Sequence, residues 1–146
     1  MSSAEPPLPE QSVGVLDWVP TYGHALHKVG QMFDVVRIDG AYGDAVAARL
    51  LATAAPETGP GPVVVDRSRR HAVYFFLAPG AGAGYDWPPG AACLRQRNAD
   101  VFVGVTALEG ETWPLTWLAP PTRSHPFVDP GALYACLGGA SERPFG

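Results

Sequence analysis

Three arginines and a histidine lie within five consecutive positions, at Arg67, Arg69, Arg70 and His71, and form the most concentrated basic group in the sequence. Planar guanidinium groups bind phosphate oxygens through paired hydrogen bonds. The group could therefore hold the phosphates of a nucleotide or of a nucleic acid. The alternative is a solvated turn that is kept polar for solubility, and the sequence leaves both interpretations open.

The elements on either side of this basic group predict a β-hairpin. Segments 62–66 and 71–78 are both rich in β-branched and aromatic residues, and the polar run Arg67-Ser68-Arg69-Arg70 separates them. Two such segments joined by a short polar stretch are typical of paired antiparallel strands. The hairpin would present the arginines at its tip, where they could reach a phosphate backbone.

Further elements are predicted on both sides of the hairpin. Segment 33–38 is a strand because Val35, Val36 and Ile38 are β-branched, and an apolar stripe through Val46 and Leu50 predicts a helix over 42–55. The spacing of apolar residues predicts a short helix over 22–29, and 79–90 is a loop. Segments 101–108 and 112–119 are expected to pair with each other as antiparallel strands.

The C-terminal part begins with a helix start signal. Asp129 is the predicted N-cap and Pro130 the first helical residue, and Gly138-Gly139 is predicted to end this helix. The expected fold is therefore α+β, with a central, mostly antiparallel sheet and two or three short helices. It forms a single domain over 13–138, between a disordered Pro-rich tail at 1–12 and a C-terminal tail at 139–146.

Composition restricts the classes of function. The 146 residues carry a net charge of −4, which argues against a protein that coats nucleic acid nonspecifically, although a local basic patch is compatible with it. Cys93 and Cys136 lack metal-ligand spacing and are expected to be reduced thiols. No apolar run approaches the length of about 18 residues that a membrane helix needs, and the N-terminus lacks signal-peptide features. A cytoplasmic protein without a membrane partner is expected, and the scarcity of Lys, Ile and Asn fits a GC-rich, for example actinobacterial, genome.

Four further groups have two interpretations each. His24 and His27 are spaced to share a helix face, but a third metal ligand is missing nearby, so a partly exposed pair is expected. The glycine-rich run 80–84 precedes no helix and is expected to be a flexible loop rather than a phosphate loop.

Arg95 and Arg97 could extend the basic group if their strand lies beside the hairpin. Several aromatic residues either fill the core or form a platform on which bases stack: Tyr74, Phe75, Phe76, Trp87, Trp113 and Trp117.

The order of these elements carries a resemblance to a known family. Its segments are Phe33-Asp34-Val35-Val36-Arg37-Ile38 before a helix, Gly61-Pro62-Val63-Val64 entering the hairpin, Arg70-His71-Ala72-Val73-Tyr74-Phe75-Phe76, and Trp117-Leu118-Ala119-Pro120-Pro121. The succession resembles the bifunctional primase/polymerase N-terminal-like domain of the archaeo-eukaryotic primase superfamily, in the reduced form found in short actinobacterial proteins. The resemblance extends over about residues 33–137.

This resemblance implies two acidic residues, one apart, on the first strand. Side chains at i and i+2 of a strand point the same way and can hold divalent metals that align the attacking hydroxyl and the triphosphate. The corresponding positions are Arg37 and Asp39, so an arginine stands in place of one carboxylate. Asp34 lies five residues before Asp39, on the opposite face and about 17 Å away along a straight strand. Two-metal catalysis by Asp34 and Asp39 is therefore not expected, and Asp39 is a candidate relic of an acidic site.

The resemblance also implies a Ser-x-His motif whose histidine meets the phosphates of a nucleotide. The run from Ser68 to His71 has these residues with one additional position between them, and Asp100 is the nearest candidate for a third acidic residue. Mg²⁺ or Mn²⁺ would be needed only if catalysis is retained, and otherwise no cofactor is expected.

Three functional hypotheses follow. The leading one is a catalytically degenerate primase/polymerase-like domain that binds single-stranded nucleic acid or a nucleotide in a replication or mobile-element context. The alternative is a small protein-interaction or regulatory domain without a nucleic-acid role, which the acidic pI near 5.4 and the Pro-rich tail favour. The third, an active nucleotidyl transferase, requires Asp39, Asp66, Asp100 and His71 to cluster within reach of a metal.

Overall fold

A computed structural model of the chain describes residues 17–56, 59–95 and 101–141. Within these ranges it contains seven β-strands and two α-helices in chain order: β1 His24–Lys28, β2 Asp34–Asp39, α1 Gly40–Thr53, β3 Val63–Asp66, β4 Ala72–Leu77, β5 Ala91–Leu94, β6 Phe102–Thr106, β7 Leu115–Ala119 and α2 Pro130–Ser141. A 3₁₀ turn at Ala81–Gly84 lies between β4 and β5. The predicted α+β class with an antiparallel central sheet is confirmed.

The strands form two separate sheets. Five of them make the central sheet in the order β5-β2-β4-β3-β7, and β1 and β6 make a two-stranded ribbon. Every pair is antiparallel. The predicted strand at 33–38 and the predicted hairpin correspond to β2, β3 and β4, so these predictions are confirmed.

The two faces of the central sheet are covered by different elements. On one face, Val36, Ile38 and Phe75 pack in a core with residues of α1 and α2. On the other face, Val35 and Phe76 pack in a second core with residues of the ribbon and with Trp18. Removing each such large apolar side chain from water contributes roughly 1.5–3 kcal/mol. The protein therefore has three layers, in the order helices, sheet and ribbon.

Helix α1 follows β2 without a linker. Gly40 adopts φ +66°, a conformation that glycine reaches without steric strain, and this reverses the chain directly after Asp39. One turn later, a Cβ atom on Gly43 would lie 2.3 Å from the carbonyl oxygen of Ile38. Glycine at this position lets α1 pack closely against the end of β2. The helix predicted over 42–55 is confirmed, with slightly different ends.

Helix α2 begins as predicted and ends later. The Asp129 carboxylate accepts a hydrogen bond of 2.9 Å from the backbone N–H of Ala132, which is the geometry of an N-cap. The predicted end at Gly138-Gly139 is wrong, because the helix continues to Ser141. Glycine lowers helix stability by only about 1 kcal/mol, and the packing of Leu133 and Leu137 in the core outweighs that. The rest of the predicted tail, at 142–146, and the predicted tail at 1–12 lie outside the described residues.

The helix predicted over 22–29 is wrong, and this segment forms β1. Its register partner is β6, with Leu26 opposite Gly104. The apolar residues Ala25, Leu26 and Val29 fit the helical period. In the structure, however, Val29 is buried and Leu26 is exposed, so these two side chains lie on opposite faces. Pairing with β6 decides between the two patterns, and that partner lies more than 70 positions further along the chain.

The pairing predicted between segments 101–108 and 112–119 is also wrong. Strand β6 pairs with β1, whereas β7 pairs with β3 at the edge of the central sheet. The two strands remain close, because the Trp117 indole N–H lies 3.1 Å from the carbonyl oxygens of both Thr106 and Ala107. Strand β7 therefore belongs to the central sheet, and β6 belongs to the ribbon. Strand β5 was not predicted, since its sequence, Ala-Ala-Cys-Leu, has little β-branched character.

Candidate functional site

The basic group lies at the tip of the β3–β4 hairpin, as predicted. The backbone N–H of Ser68 donates to Oδ1 of Asp66 at 2.9 Å, and the N–H of His71 donates to the carbonyl of Ser68 at 2.9 Å. These two bonds form an Asx turn followed by a tight turn. The side chains of Arg67, Arg69 and Arg70 project from it into solvent.

His71 differs from the three arginines. Its backbone φ is +43°, and its Nε2 lies 2.9 Å and 3.0 Å from the two carboxylate oxygens of Asp44 on α1. The ring is therefore directed to the helix side of the sheet and ties the hairpin tip to the N-terminal part of α1. A role of His71 in holding phosphate stays a prediction, and it would require the phosphate to replace Asp44.

A polar surface lies on the ribbon side of the central sheet, next to the hairpin tip. We call it the open face and define it by Arg37, Asp39, Asp66 and Tyr74, which surround the buried Ala72. Asp39 and Asp66 are both register partners of Ala72, one on each side of β4, and Arg37 is the partner of Tyr74. Neighbouring strands lie about 4.8 Å apart, so the Cα atoms of the two aspartates are roughly 10 Å apart. Residues that are 27 to 37 positions apart in the sequence thus lie together on one small surface.

Arg37 and Asp39 interact directly on this face. The Arg37 Nε lies 3.3 Å from Oδ1 of Asp39, although the angle does not meet hydrogen-bond geometry. The side chains are 32% and 58% exposed, so this ion pair contributes little to stability. Its position matters more, because a guanidinium cation sits where a divalent metal would have to bind between i and i+2. The residues at this position do not fit a metal pair.

Tyr74 stands at the centre of the charged residues. Burial raises the pKa of its hydroxyl, and Asp66 raises this pKa further, whereas Arg37 and Arg70 lower it. Tyr74 lies directly opposite Arg37 on the neighbouring strand, and the exposed Arg70 lies at the tip of the same hairpin.

The other acidic candidates are dispersed. Asp34 is 1% exposed and lies on the helix side, where its Oδ2 accepts hydrogen bonds from the N–H groups of Gly80 at 2.9 Å and Gly82 at 3.4 Å. Asp100 lies outside the described residues. Of the residues that the third hypothesis requires, Asp39 and Asp66 share a face and His71 does not. Among the residues with described positions, no group of three or more His, Cys, Asp or Glu could hold a metal ion.

The remaining basic and histidine candidates lie in different parts of the structure. Arg95 lies beside Asp34 and Cys93 and lowers the pKa of both, although burial raises each pKa overall. Arg97 lies outside the described residues. His24 lies near Asp66 and Tyr74, with its Nε2 2.7 Å from the carbonyl oxygen of Thr112, while the His27 ring packs edge-on against Phe33.

Most of the aromatic residues fill cores. Phe75 and Phe76 are fully buried, and the Trp117 ring packs near Trp18 and Phe76. Trp87 packs against two tyrosines at 5.4 and 5.5 Å, away from the open face. Of the six predicted platform residues, Trp113 is 68% exposed, and Tyr74, Trp87 and Trp117 are half-buried.

A cavity of about 250 Å³ adjoins the open face and was not predicted from the sequence. It lies between the central sheet and the ribbon and is lined by His24, Asp66, Tyr74, Gly104, Pro114 and Leu115. One sequence signal could have indicated it: Gly104 interrupts an otherwise β-branched strand, which often marks a place where a ligand approaches the backbone.

The comparisons with known proteins give no family. No family model matches the chain, and neither a curated protein nor a solved structure shows significant similarity to it. In the ranges that the structure describes, neither helix is long and apolar enough to cross a membrane. The function is therefore inferred from the geometry of the site.

Proposed function

We propose that this protein is a catalytically degenerate primase/polymerase-like domain that binds single-stranded nucleic acid or a nucleotide in a replication or mobile-element system. The observation that carries the proposal is the position of Arg37 directly opposite Tyr74 on the neighbouring strand, together with three exposed arginines at the tip of the hairpin to which Tyr74 belongs. Guanidinium groups beside a partly exposed aromatic ring are the combination that holds phosphate and stacks a base.

The charges around the site limit the length of the bound strand. Asp39 and Asp66 border the open face and repel phosphates, so the favourable contacts are restricted to the arginines at and near the tip. Two or three phosphate contacts on a single strand correspond to a slope of about −1.4 to −2.1 in a plot of log affinity against log salt concentration. We therefore expect weak, short-range binding rather than a long electrostatic groove.

Catalysis is not part of the proposal, because Arg37 stands where the resemblance requires a carboxylate. An arginine at this position repels a divalent cation and neutralises Asp39, its neighbour on the same face. The same arginine is suited to a phosphate oxygen. The substitution thus favours retained binding of the polyanion without transfer chemistry.

The test is fluorescence anisotropy with labelled single-stranded DNA at low and moderate salt, with and without Mg²⁺ or Mn²⁺. The variant is Arg69→Ala/Arg70→Ala, and the control with the same change in net charge is Arg49→Ala/Arg123→Ala, which alters exposed residues outside the hairpin tip. We expect the tip variant to lower affinity at least about tenfold and to flatten the salt slope by 1 to 2 units. Equal affinity of the tip variant and the control would overturn the assignment of the site.

A second function is favoured by one specific observation. Leu26 and Phe102 are 72% and 57% exposed and lie diagonally across the ribbon on the same face. Exposed apolar residues that are adjacent in this way are typical of protein interfaces. A protein-interaction role predicts self-association or a stable complex that Leu26→Ser/Phe102→Ser abolishes, and sedimentation velocity of both proteins measures this.

A further inference from the structure

The cavity beside the open face is formed by residues from five strands and the loop before β7. Its volume of about 250 Å³ lies below the 300–1,000 Å³ that is usual for sites of drug-sized ligands. It therefore suits one small ring system rather than an entire nucleotide. Pro114 and Leu115 supply apolar walls, and Asp66 and Tyr74 supply polar groups.

Gly104 keeps this cavity open. It lies in the middle of β6, and a Cβ atom at this position would be 3.5 Å from Leu115 Cδ1 and 3.9 Å from Leu26 Cδ2, which are ordinary contacts. Its φ is not among the positive values that favour glycine. A side chain would thus be tolerated and would strengthen the strand, since glycine in a strand interior is destabilising by roughly 0.5–1 kcal/mol relative to alanine. Neither the backbone conformation nor close packing requires glycine at this position. The effect of glycine here is therefore to leave the space of the cavity unfilled.

The polar groups of the cavity have unused hydrogen-bonding capacity. Oδ1 of Asp66 accepts from the N–H of Ser68. Within the described part of the chain, its second oxygen and the Tyr74 hydroxyl have no hydrogen-bond partner. His24 is fixed at the rim, because its Nε2 donates to the Thr112 carbonyl, which leaves Nδ1 as an acceptor in the neutral ring. The cavity is therefore rich in acceptors and has one hydroxyl that can donate.

We infer that the cavity seats a single nucleobase that carries an exocyclic amino group, with the Asp66 carboxylate accepting a hydrogen bond from that amino group. Carboxylates recognise cytosine in this way through its N4 amino group. Uracil and thymine present a carbonyl oxygen at the same position, and the Asp66 carboxylate repels it. The sugar would leave the cavity on the side of Tyr74, where Arg70 can meet the phosphate. The inference rests on the proposed function and defines which base that site selects.

The decisive comparison uses cytidine and uridine, two nucleosides without phosphate that differ in the group at position 4. Each is titrated into the ¹⁵N-labelled protein, and the amide shifts of Gly104 and Asp66 are followed by NMR. We expect cytidine to bind roughly tenfold more tightly than uridine. Equal binding of the two nucleosides, or no binding of cytidine, would overturn the inference, and this result does not depend on any variant folding.

Two variants locate the site. Gly104→Leu fills the cavity and is expected to abolish cytidine binding, whereas Gly104→Ala is the matched control and should reduce it only slightly. Asp66→Asn keeps the acceptor for Ser68 and is expected to remove the preference for cytidine over uridine. Cytidine binding that survives Gly104→Leu, in a variant shown to be folded by circular dichroism, would place the base elsewhere and overturn the inference.

Oligonucleotides separate this inference from the proposed function. If dC and dT oligomers and an abasic strand of equal length bind with equal affinity, and Arg69→Ala/Arg70→Ala weakens all three, the proposed function stands and the base seat is overturned. If none of the three strands binds at low salt, the proposed function fails. Cytidine binding at Gly104 under those conditions would still support a nucleobase seat.

Discussion

Arg37 and Asp39 lie two residues apart on β2, and the guanidinium Nε of one is 3.3 Å from the carboxylate Oδ1 of the other. Alternate residues of a strand share a face, so this spacing is also the one at which two carboxylates would hold a divalent metal. The strand therefore has the residue spacing of such a site, but the side chain at position 37 carries a positive charge instead of a negative one. This relationship gives the most direct test of whether the open face is a degenerate metal site.

Arg37→Asp is expected to create a divalent-cation site between positions 37 and 39. The substitution replaces the cation with a second carboxylate on the same face, and Asp66 adds a third across β4. We expect Mn²⁺ affinity at least about tenfold higher than in Arg37→Ala, which removes the guanidinium without adding a ligand. Isothermal titration with Mn²⁺ measures both. Equal affinities would mean that the face lacks metal-site geometry and that Asp39 is not a relic.

Asp44→Ala is expected to loosen the hairpin tip. The His71–Asp44 pair is partly exposed, so its loss should lower the free energy of unfolding by no more than about 1 kcal/mol. Hydrogen exchange should rise at the amide of Gly40, which donates to the His71 carbonyl at 2.9 Å. Urea denaturation and exchange measured by NMR test both effects. Unchanged exchange at Gly40 would show that the turn holds His71 without Asp44.

Gly43→Ala is expected to destabilise the protein by roughly 1–3 kcal/mol, because the added methyl would lie 2.3 Å from the Ile38 carbonyl oxygen and force α1 away from β2. Gly84→Ala is the matched control, since its Cβ would have nothing within 4 Å. Its effect should lie within about 0.5 kcal/mol of zero. Thermal and urea denaturation of the three proteins measure the difference. A Gly43→Ala variant as stable as Gly84→Ala would show that α1 can shift without loss of packing.

Local sequence patterns predicted the elements whose apolar residues fit a single period. The β-branched run around Val35 and Val36 predicts β2, and Asp129 with Pro130 predicts the start of α2, because each signal depends on neighbouring residues. Segment 22–29 fits two periods at once, and its partner β6 decides the outcome. Pairing of β7 with β3, rather than with β6, is likewise a long-range choice that local patterns do not contain.

The same distinction applies to the candidate site. Exposure of Arg69 and Arg70 follows from a polar turn between two apolar strands, so it was predictable. The orientation of His71 was not, because it depends on Asp44, which lies 27 positions away. The cavity was not predictable either, since it exists only where the ribbon meets the central sheet. Gly104 is its one local sign.

Asp34→Asn is expected to change how stability depends on pH. Burial raises the pKa of the Asp34 carboxyl above 3.8 in the folded protein, and this effect exceeds the opposing ones of the Gly82 and Gly80 N–H groups and of Arg95. Between 3.8 and the raised value, the folded state binds more protons than the unfolded state. The contribution of this carboxyl to the free energy of unfolding therefore falls as pH rises through that window.

Asparagine does not titrate, and its side-chain oxygen can still accept from Gly80. The free energy of unfolding of Asp34→Asn relative to the wild type should therefore increase with pH from below 3.8 and level off above the folded-state pKa. Urea denaturation at pH steps measures this difference, with Asp86→Asn, an exposed aspartate on the same loop, as the control. A difference that decreases with pH would mean that the two N–H groups and Arg95 outweigh burial. Asp34 would then be held as a carboxylate that stabilises the 79–90 loop at neutral pH.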